Sequence, residues 1–176
     1  WVNEKYDADL ADESDEYFFT RTIAGKAGDE LLAEFVADGQ VRNLEVCVNL
    51  QTALRHLRAS GYWIHILTAR PADELKCLYE TYAWLLENVE FDSLALHPEK
   101  YIHLAATEPY KQGFVVCAID DSPKHAAELA HHGIHTFVPK RNYNRGVWDH
   151  INITTFEWEL EDVAELIHNF RRKQQK

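Results

Sequence analysis

Two apolar runs that each end abruptly in polar residues constrain the fold of this chain more than any other feature. Ile64–Leu67 is followed by Thr68-Ala69-Arg70-Pro71, and Val115–Ile119 is followed by Asp120-Asp121-Ser122-Pro123. Such runs are typical of strands that are buried on both faces of a parallel sheet. Open α/β sheets bind ligands in a crevice at the carboxyl ends of their strands. We therefore expect the polar residues to line a crevice.

Predicted strands and helices alternate along most of the chain, after two earlier helices over 28–38 and 48–60. The predicted strands are 62–67, 92–96, 114–119, 134–138 and 151–155. The predicted helices between and after them are 72–88, 98–107, 123–132 and 159–172. This alternation indicates βαβ units and an α/β fold. We expect one Rossmann-like parallel sheet with helices on both faces and with 62–67 and 114–119 near its centre.

Composition narrows the class of protein. The chain has 176 residues, of which 46% are hydrophobic, which is enough for one globular domain. Its formal net charge of -11 argues against non-specific binding of nucleic acid, but leaves room for a small phosphorylated substrate. It has no apolar run of about 18 residues and no recognisable signal peptide, so we expect no membrane association and a cytoplasmic location. Cys47, Cys77 and Cys117 lack metal-ligand spacing and are expected to be free thiols.

The adjacent carboxylates Asp120 and Asp121 are the strongest candidates for chemistry. They follow a strand too apolar to solvate them, and like charges this close raise each other's pKa unless a cation is present. One Asp is explained by helix capping before Pro123, which suits a first helical position, but two are not. Oxygen ligands of this kind suit Mg²⁺, so we predict a metal site at Asp120 and Asp121.

A hydroxyl and a lysine complete the candidate site. The Thr68 hydroxyl and the backbone N–H groups of Ala69 and Arg70 are suited to hold a phosphoryl oxygen, although Thr68 has the alternative role of capping the next helix. Lys111 precedes the second strand and is the predicted phosphate-binding cation, with Lys100 as its rival. We predict Thr68 and Lys111 as catalytic residues.

These motifs resemble those of the haloacid dehalogenase (HAD) superfamily. Ile64 to Thr68 resembles its second motif, Lys111 or Lys100 its third, and Asp120-Asp121 its fourth. Thr68-Ala69-Arg70-Pro71, the run from Ile119 to Pro123, and Tyr143-Asn144-Arg145 are similar to segments of its 5'(3')-deoxyribonucleotidase-like branch. The opening residues 1–6 resemble the helix that follows that branch's first motif. The resemblance implies a three-layer parallel sheet with a small helical cap, and Mg²⁺-dependent hydrolysis of phosphomonoesters through an aspartyl-phosphate.

The resemblance has one serious gap, which concerns the first motif. That motif is Asp-x-Asp at the end of a strand, in which the first Asp is the nucleophile and the second the general acid or base. Asp7-x-Asp9 has the letters, but no apolar strand precedes it and it belongs to an acidic helix end. The chain starts at Trp1 and contains no methionine, which indicates a fragment. We expect the nucleophile to lie upstream of Trp1.

The resemblance implies a single HAD-like domain over 1–176, with a helical cap at 10–46 and a Rossmann-like core at 47–176. Tyr17, Phe18 and Phe19 in the cap are candidates for stacking on a base, although such aromatic residues more often form the core of a cap. The substrate is expected to be a nucleotide or another small phosphorylated metabolite, and a homodimer is left open. The alternative is a non-catalytic HAD-like module that binds a phosphorylated ligand or a protein partner. A polynucleotide end phosphatase is disfavoured by the acidic charge.

Overall fold

The computed structural model of the protein describes residues 1–7, 22–70, 74–157 and 162–174. The helices are α1 (Val2–Tyr6), α2 (Gly28–Ala37), α3 (Val48–Ala59), α4 (Leu75–Asn88), α5 (Lys100–Ala106), α6 (Glu108–Lys111), α7 (Pro123–His131) and α8 (Val163–Gln174). The strands are β1 (Thr22–Ile23), β2 (Lys26–Ala27), β3 (His65–Thr68), β4 (Ser93–Leu96), β5 (Ala118–Ile119), β6 (Thr136–Pro139) and β7 (Ile153–Phe156). Short 3₁₀ helices span Gln40–Asn43 and Asn142–Val147.

The strands after β2 form two small parallel sheets. β3 pairs with β4, with His65 opposite Ser93 and Thr68 opposite Leu96. The second sheet has the order β5-β6-β7, and both of its pairings are parallel. α4 connects β3 to β4 and α7 connects β5 to β6, while the segment 140–152 with its 3₁₀ helix connects β6 to β7, so each parallel pair has the long crossover that it requires. The mixed α/β architecture that the sequence predicts is therefore confirmed, whereas the HAD-like three-layer fold stays a prediction.

The predicted position of the two apolar strands is wrong for the described residues. We expected them at the centre of one sheet, but β3 and β5 each lie at the edge of a separate sheet. β5 is also shorter than predicted, with only Ala118 and Ile119 in strand geometry. Among the described strands, only β6 is paired on both edges and buried along its whole length, because β5 and β7 flank it and α7 packs against it.

The two sheets nevertheless share one apolar core. This core joins Leu54 and Leu57 of α3 and Ile167 of α8 to residues of β6 and β7, and Ile64 beside β3 belongs to it. Ile66 of β3 and Ile119 of β5 pack against the same cluster while remaining half-buried. Apolar burial therefore holds the two sheets on a common helical layer formed by α3 and α8.

The amino-terminal region forms a helical unit that packs against α4. α1 ends at the exposed Asp7, and the Trp1 ring lies 5.3 Å from the Phe35 ring of α2. A small core of Val36, Val41 and Cys77 joins α2 and the first 3₁₀ helix to α4. Asp9, residues 10–21 of the predicted cap, and the three aromatic residues at 17–19 lie outside the described residues.

Within the described ranges, no helix has both the length and the apolar character that crossing a bilayer requires.

Candidate functional site

Asp120 lies at the carboxyl end of β5 and anchors the candidate site. Its side chain is only 4% exposed, and its Oδ2 accepts a hydrogen bond of 2.7 Å from the Lys100 ammonium. Its Oδ1 accepts a second bond of 3.0 Å from the Ser122 backbone N–H. Lys100 opens α5, just after β4. The ion pair therefore joins the carboxyl ends of the two sheets, and the ammonium compensates a carboxylate that burial would otherwise destabilise.

Asp121, the second carboxylate, is exposed and is oriented by the 3₁₀ helix at Asn142–Val147. The Tyr143 hydroxyl donates a hydrogen bond of 2.7 Å to Asp121 Oδ2. The Asn144 side-chain amide donates to the Asp121 carbonyl oxygen at 3.1 Å. The segment noted for its resemblance at Tyr143-Asn144-Arg145 thus contacts the acidic pair directly.

Asn144 fixes this part of the site. It is completely buried, and its amide nitrogen donates to the carbonyl oxygens of Asp121 and Pro139. Its side-chain oxygen accepts hydrogen bonds from the Arg141 backbone N–H at 3.1 Å and from Trp148 Nε1 at 2.8 Å. Both amide hydrogens and both oxygen lone pairs are used. Asn144 therefore locks the loop after β6 against the loop after β5.

Thr68 is the last residue of β3, so it lies at the carboxyl end of its sheet, as Asp120 does in the other sheet. Thr68 is half-buried. Its hydroxyl oxygen accepts a bond of 3.4 Å from the Arg70 backbone N–H, which forms a tight local turn. α4 begins only at Leu75, with Glu74 at its N-cap, so Thr68 does not cap that helix. Ala69 is exposed, while Pro71 lies outside the described residues. The turn leaves Thr68 at a strand end, as the sequence predicts.

The Arg70 side chain is engaged with α4. Its Nη1 donates a hydrogen bond of 3.0 Å to the Thr81 hydroxyl, and burial lowers the pKa of the guanidinium. A guanidinium held in this way stabilises the packing of the turn against the helix. A phosphate role for Arg70 would therefore fall to its backbone N–H, which would have to exchange its bond to Thr68 Oγ1 for one to the phosphate.

Of the two rival lysines, the structure brings Lys100 to the acidic pair. Lys111 ends α6, is 53% exposed, and pairs with Glu108 at 3.0 Å. The reason is the direction in which the chain runs through β4 and β5. Lys111 precedes β5 and belongs to the amino end of that strand, whereas Lys100 follows β4 and belongs to the carboxyl end. Sequence proximity to the strand favoured Lys111, but the geometry favours Lys100.

His125 is a site residue that the sequence reasoning missed. It lies in the first turn of α7, is 8% exposed, and has a buried Nδ1 with no hydrogen bond in the described part of the chain. Burial lowers the pKa of its imidazole, while the nearby Asp120 carboxylate opposes that shift and Lys100 adds to it. The sequence feature that could have identified His125 is its position three residues after Ser122, the N-cap of α7.

The oxygen donors around Asp120 bear on the predicted Mg²⁺ site. Among residues 1–7, 22–70, 74–157 and 162–174, no group of three or more His, Cys, Asp or Glu side chains is arranged to hold a metal. Mg²⁺ commonly binds through one or two carboxylates together with water and substrate phosphate. The two hard oxygen donors at Asp120 and Asp121 therefore fit one side of a magnesium site.

A surface groove of about 730 Å³ lies elsewhere, between α3 and α8. Its lining includes Tyr62, His168, Arg171 and Arg172. No predicted site residue lines it, and we assign no part of the candidate site to it.

The burial of three histidines allows a prediction of how the stability of the fold depends on pH. Burial lowers the pKa of His65, His125 and His135 in the folded state. The unfolded chain, with histidine pKa values near ~6.5, then binds more protons, so the free energy of unfolding should fall as pH drops from about 7.5 to 5.5. Carboxylates whose pKa is lowered in the folded state, such as Asp92, change the free energy of unfolding only below this pH range. Thermal unfolding at several pH values measures the slope.

His135→Gln should flatten this slope, because it removes one of the three groups. His56→Gln, at an exposed position of α3, is the matched control and should keep the slope of the unchanged protein. Stability that stays constant or rises on acidification over this range would contradict the expected burial of the three imidazoles.

Comparison with known proteins adds no relative. No protein-family model matches the chain, and no curated protein or solved structure matches it either.

Proposed function

We propose that this chain belongs to a Mg²⁺-dependent phosphomonoester hydrolase of the HAD type, acting on nucleotides or another small phosphorylated metabolite. The observation that carries the proposal is the ion pair of the half-buried Lys100 with the buried Asp120, beside Asp121, at the carboxyl ends of two parallel sheets. A cation beside paired carboxylates is suited to hold a phosphate dianion, provided that further positive charge offsets the acids.

Six side chains of the site then have defined roles. Lys100 binds a phosphoryl oxygen and stabilises the charge on the transferring group, a role that the sequence alone gave to Lys111. The Thr68 hydroxyl and the following backbone N–H groups orient the same group. Asp120 and Asp121 would hold Mg²⁺, which supplies positive charge against the phosphate when bound. Asn144 and Tyr143 keep Asp121 in position.

The attacking carboxylate is proposed to lie in polypeptide preceding Trp1. Among the described residues, β3 has a strand partner only at β4 and β5 only at β6, although both strands pack on the same core. A further parallel strand paired to both free edges would unite the two sheets. Its carboxyl end would lie between Thr68 and Asp120, which is where an attacking Asp is required.

The proposed reaction has two displacements. A carboxylate oxygen of the first Asp in the upstream motif bonds to phosphorus while the ester P–O bond breaks, and the second Asp gives a proton to the leaving oxygen. Water then cleaves the acyl phosphate and releases inorganic phosphate. Lys100 and Thr68 stabilise the same phosphoryl oxygens in both steps.

A non-catalytic module that binds a phosphorylated ligand is the second candidate. It is favoured by one observation: no third carboxylate joins Asp120 and Asp121 within the described ranges. The two candidates are separated by the encoded residues before Trp1, since only a hydrolase needs a strand ending in Asp-x-Asp there.

A phosphate-release assay tests the proposal. We expect residues 1–176 to show no turnover of nucleoside monophosphates with Mg²⁺, because the attacking carboxylate is proposed to lie before Trp1. A longer polypeptide that includes the upstream residues should hydrolyse at least one of them. Strong turnover by residues 1–176 would show that the nucleophile lies within them, with Asp7 the first residue to replace. No turnover by the longer polypeptide on any phosphomonoester would favour the binding module.

A further inference from the structure

Four large apolar side chains form an exposed stripe on α4, which we call the α4 stripe: Leu75, Tyr79, Tyr82 and Leu86. They are 79%, 67%, 48% and 60% exposed, respectively. Their spacing of four, three and four residues places them along one face of the helix. An apolar stripe of this length on a chain of net charge -11 is typical of a surface that contacts another protein.

The opposite face of α4 packs against the protein's own core. Cys77, Thr81 and Leu85 are buried, and Trp84 Nε1 donates a hydrogen bond of 2.8 Å to the Leu44 carbonyl oxygen. The helix therefore cannot rotate its stripe inward without losing these contacts. Within the described ranges, the stripe therefore points away from the core.

The order of residues in the stripe identifies the partner. Read in either direction it is Leu, three residues, Tyr, two residues, Tyr, three residues, Leu, and its centre lies between Glu80 and Thr81. A twofold interface requires a self-complementary surface, on which residue i contacts j and j contacts i. We propose that the α4 stripe is the contact between two copies of this chain, packed antiparallel about a twofold axis at that centre. Leu75 then faces Leu86 of the second copy, and Tyr79 faces Tyr82.

Charges beside the stripe favour the antiparallel direction. Lys76 and Glu87, whose side chains are 50% and 58% exposed, each follow a stripe leucine and so flank the stripe on the same side. Antiparallel packing brings Lys76 of one copy within about 3 Å, along the helix axis, of Glu87 of the other. In a parallel twofold pair these flanks would lie on opposite sides of the contact, so Lys76 of one copy would not meet Glu87 of the other. Lys76 already donates to the Ala37 carbonyl oxygen and Glu87 already pairs with Arg42, so these rim charges add little affinity and contribute only to the choice of orientation.

The area that the two copies would bury indicates how tightly they should associate. With about 200 Å² for a fully exposed side chain of this size, the four residues would bury on the order of 500 Å² per copy. The total of about 1,000 Å² lies at the lower limit for a specific interface. A dimer with a dissociation constant in the micromolar range is therefore expected.

Sedimentation velocity over about 1 to 200 μM measures this association. Residues 1–176 should shift from monomer to dimer, and Tyr79→Glu should keep the protein monomeric, because the change places two buried charges in one symmetric contact. Ile151→Glu, at a loop position that is 90% exposed, is the matched control and should dimerise normally. Circular dichroism checks that each variant is folded. A protein that stays monomeric throughout this range would overturn the proposal.

Cysteine cross-linking tests the orientation. In the antiparallel pair, position 75 of one copy faces position 86 of the other, whereas the two copies of position 75 lie about 16 Å apart along the helix axis. A mixture of Leu75→Cys and Leu86→Cys proteins should therefore form a disulfide under mild oxidation, and neither alone should do so. Mass spectrometry of the linked peptides distinguishes this bond from links through Cys47, Cys77 or Cys117. Linkage within each single variant, but not between them, would show a parallel contact and overturn the proposed arrangement.

Discussion

Asn144→Ala is expected to lower the free energy of unfolding by about 3–4 kcal/mol, because it leaves several buried polar groups without partners. The native amide satisfies the carbonyl oxygens of Asp121 and Pro139, the Arg141 N–H and Trp148 Nε1. Alanine replaces none of these bonds and leaves a cavity. Urea unfolding followed by circular dichroism measures the difference.

Asn142→Ala is the matched control for this substitution. Asn142 opens the same 3₁₀ helix and accepts one bond of 2.5 Å from Arg145 at an exposed position. Loss of this bond should lower the free energy of unfolding by less than about 0.5 kcal/mol, as is usual for substitutions at exposed positions. Equal losses from the two variants would mean that the four bonds of Asn144 do not hold the site together.

Breaking the ion pair of Lys100 and Asp120 is expected to lower phosphatase turnover about a hundredfold or more in the longer polypeptide. Lys100→Gln removes the cation that holds the phosphoryl oxygen, and Asp120→Asn removes a carboxylate proposed to hold Mg²⁺. Thr68→Ala should do less damage, because it removes one hydrogen bond to the transferring group. Initial rates of phosphate release at saturating Mg²⁺ measure these effects.

The same assay decides between the two lysines. Lys111 pairs with Glu108 in an exposed position, so Lys111→Gln should change turnover far less than Lys100→Gln. Lys124→Gln, whose side chain is 69% exposed, provides a surface control. A large loss for Lys111→Gln with little effect of Lys100→Gln would return the phosphate role to Lys111 and contradict the geometry.

Local sequence patterns determined most of the secondary structure. The apolar run before Thr68 and the helix that ends before Gly133 lie where they were predicted. The acidic pair also lies at a strand end, because an apolar run followed by Asp, Ser and Pro specifies both the end of a strand and the start of a helix. Such features depend on neighbouring residues, so they can be derived from a single sequence.

Contacts between distant residues were decided only by the tertiary structure. The choice of Lys100 over Lys111 depends on which end of β5 each lysine reaches, and the position of His125 beside Asp120 depends on how α7 leaves that strand. The separation of β3 from β5 depends on pairing between strands far apart in the chain. Periodicity and composition predict which face of an element is apolar. They do not specify which other element covers that face, because that choice depends on packing of the whole chain.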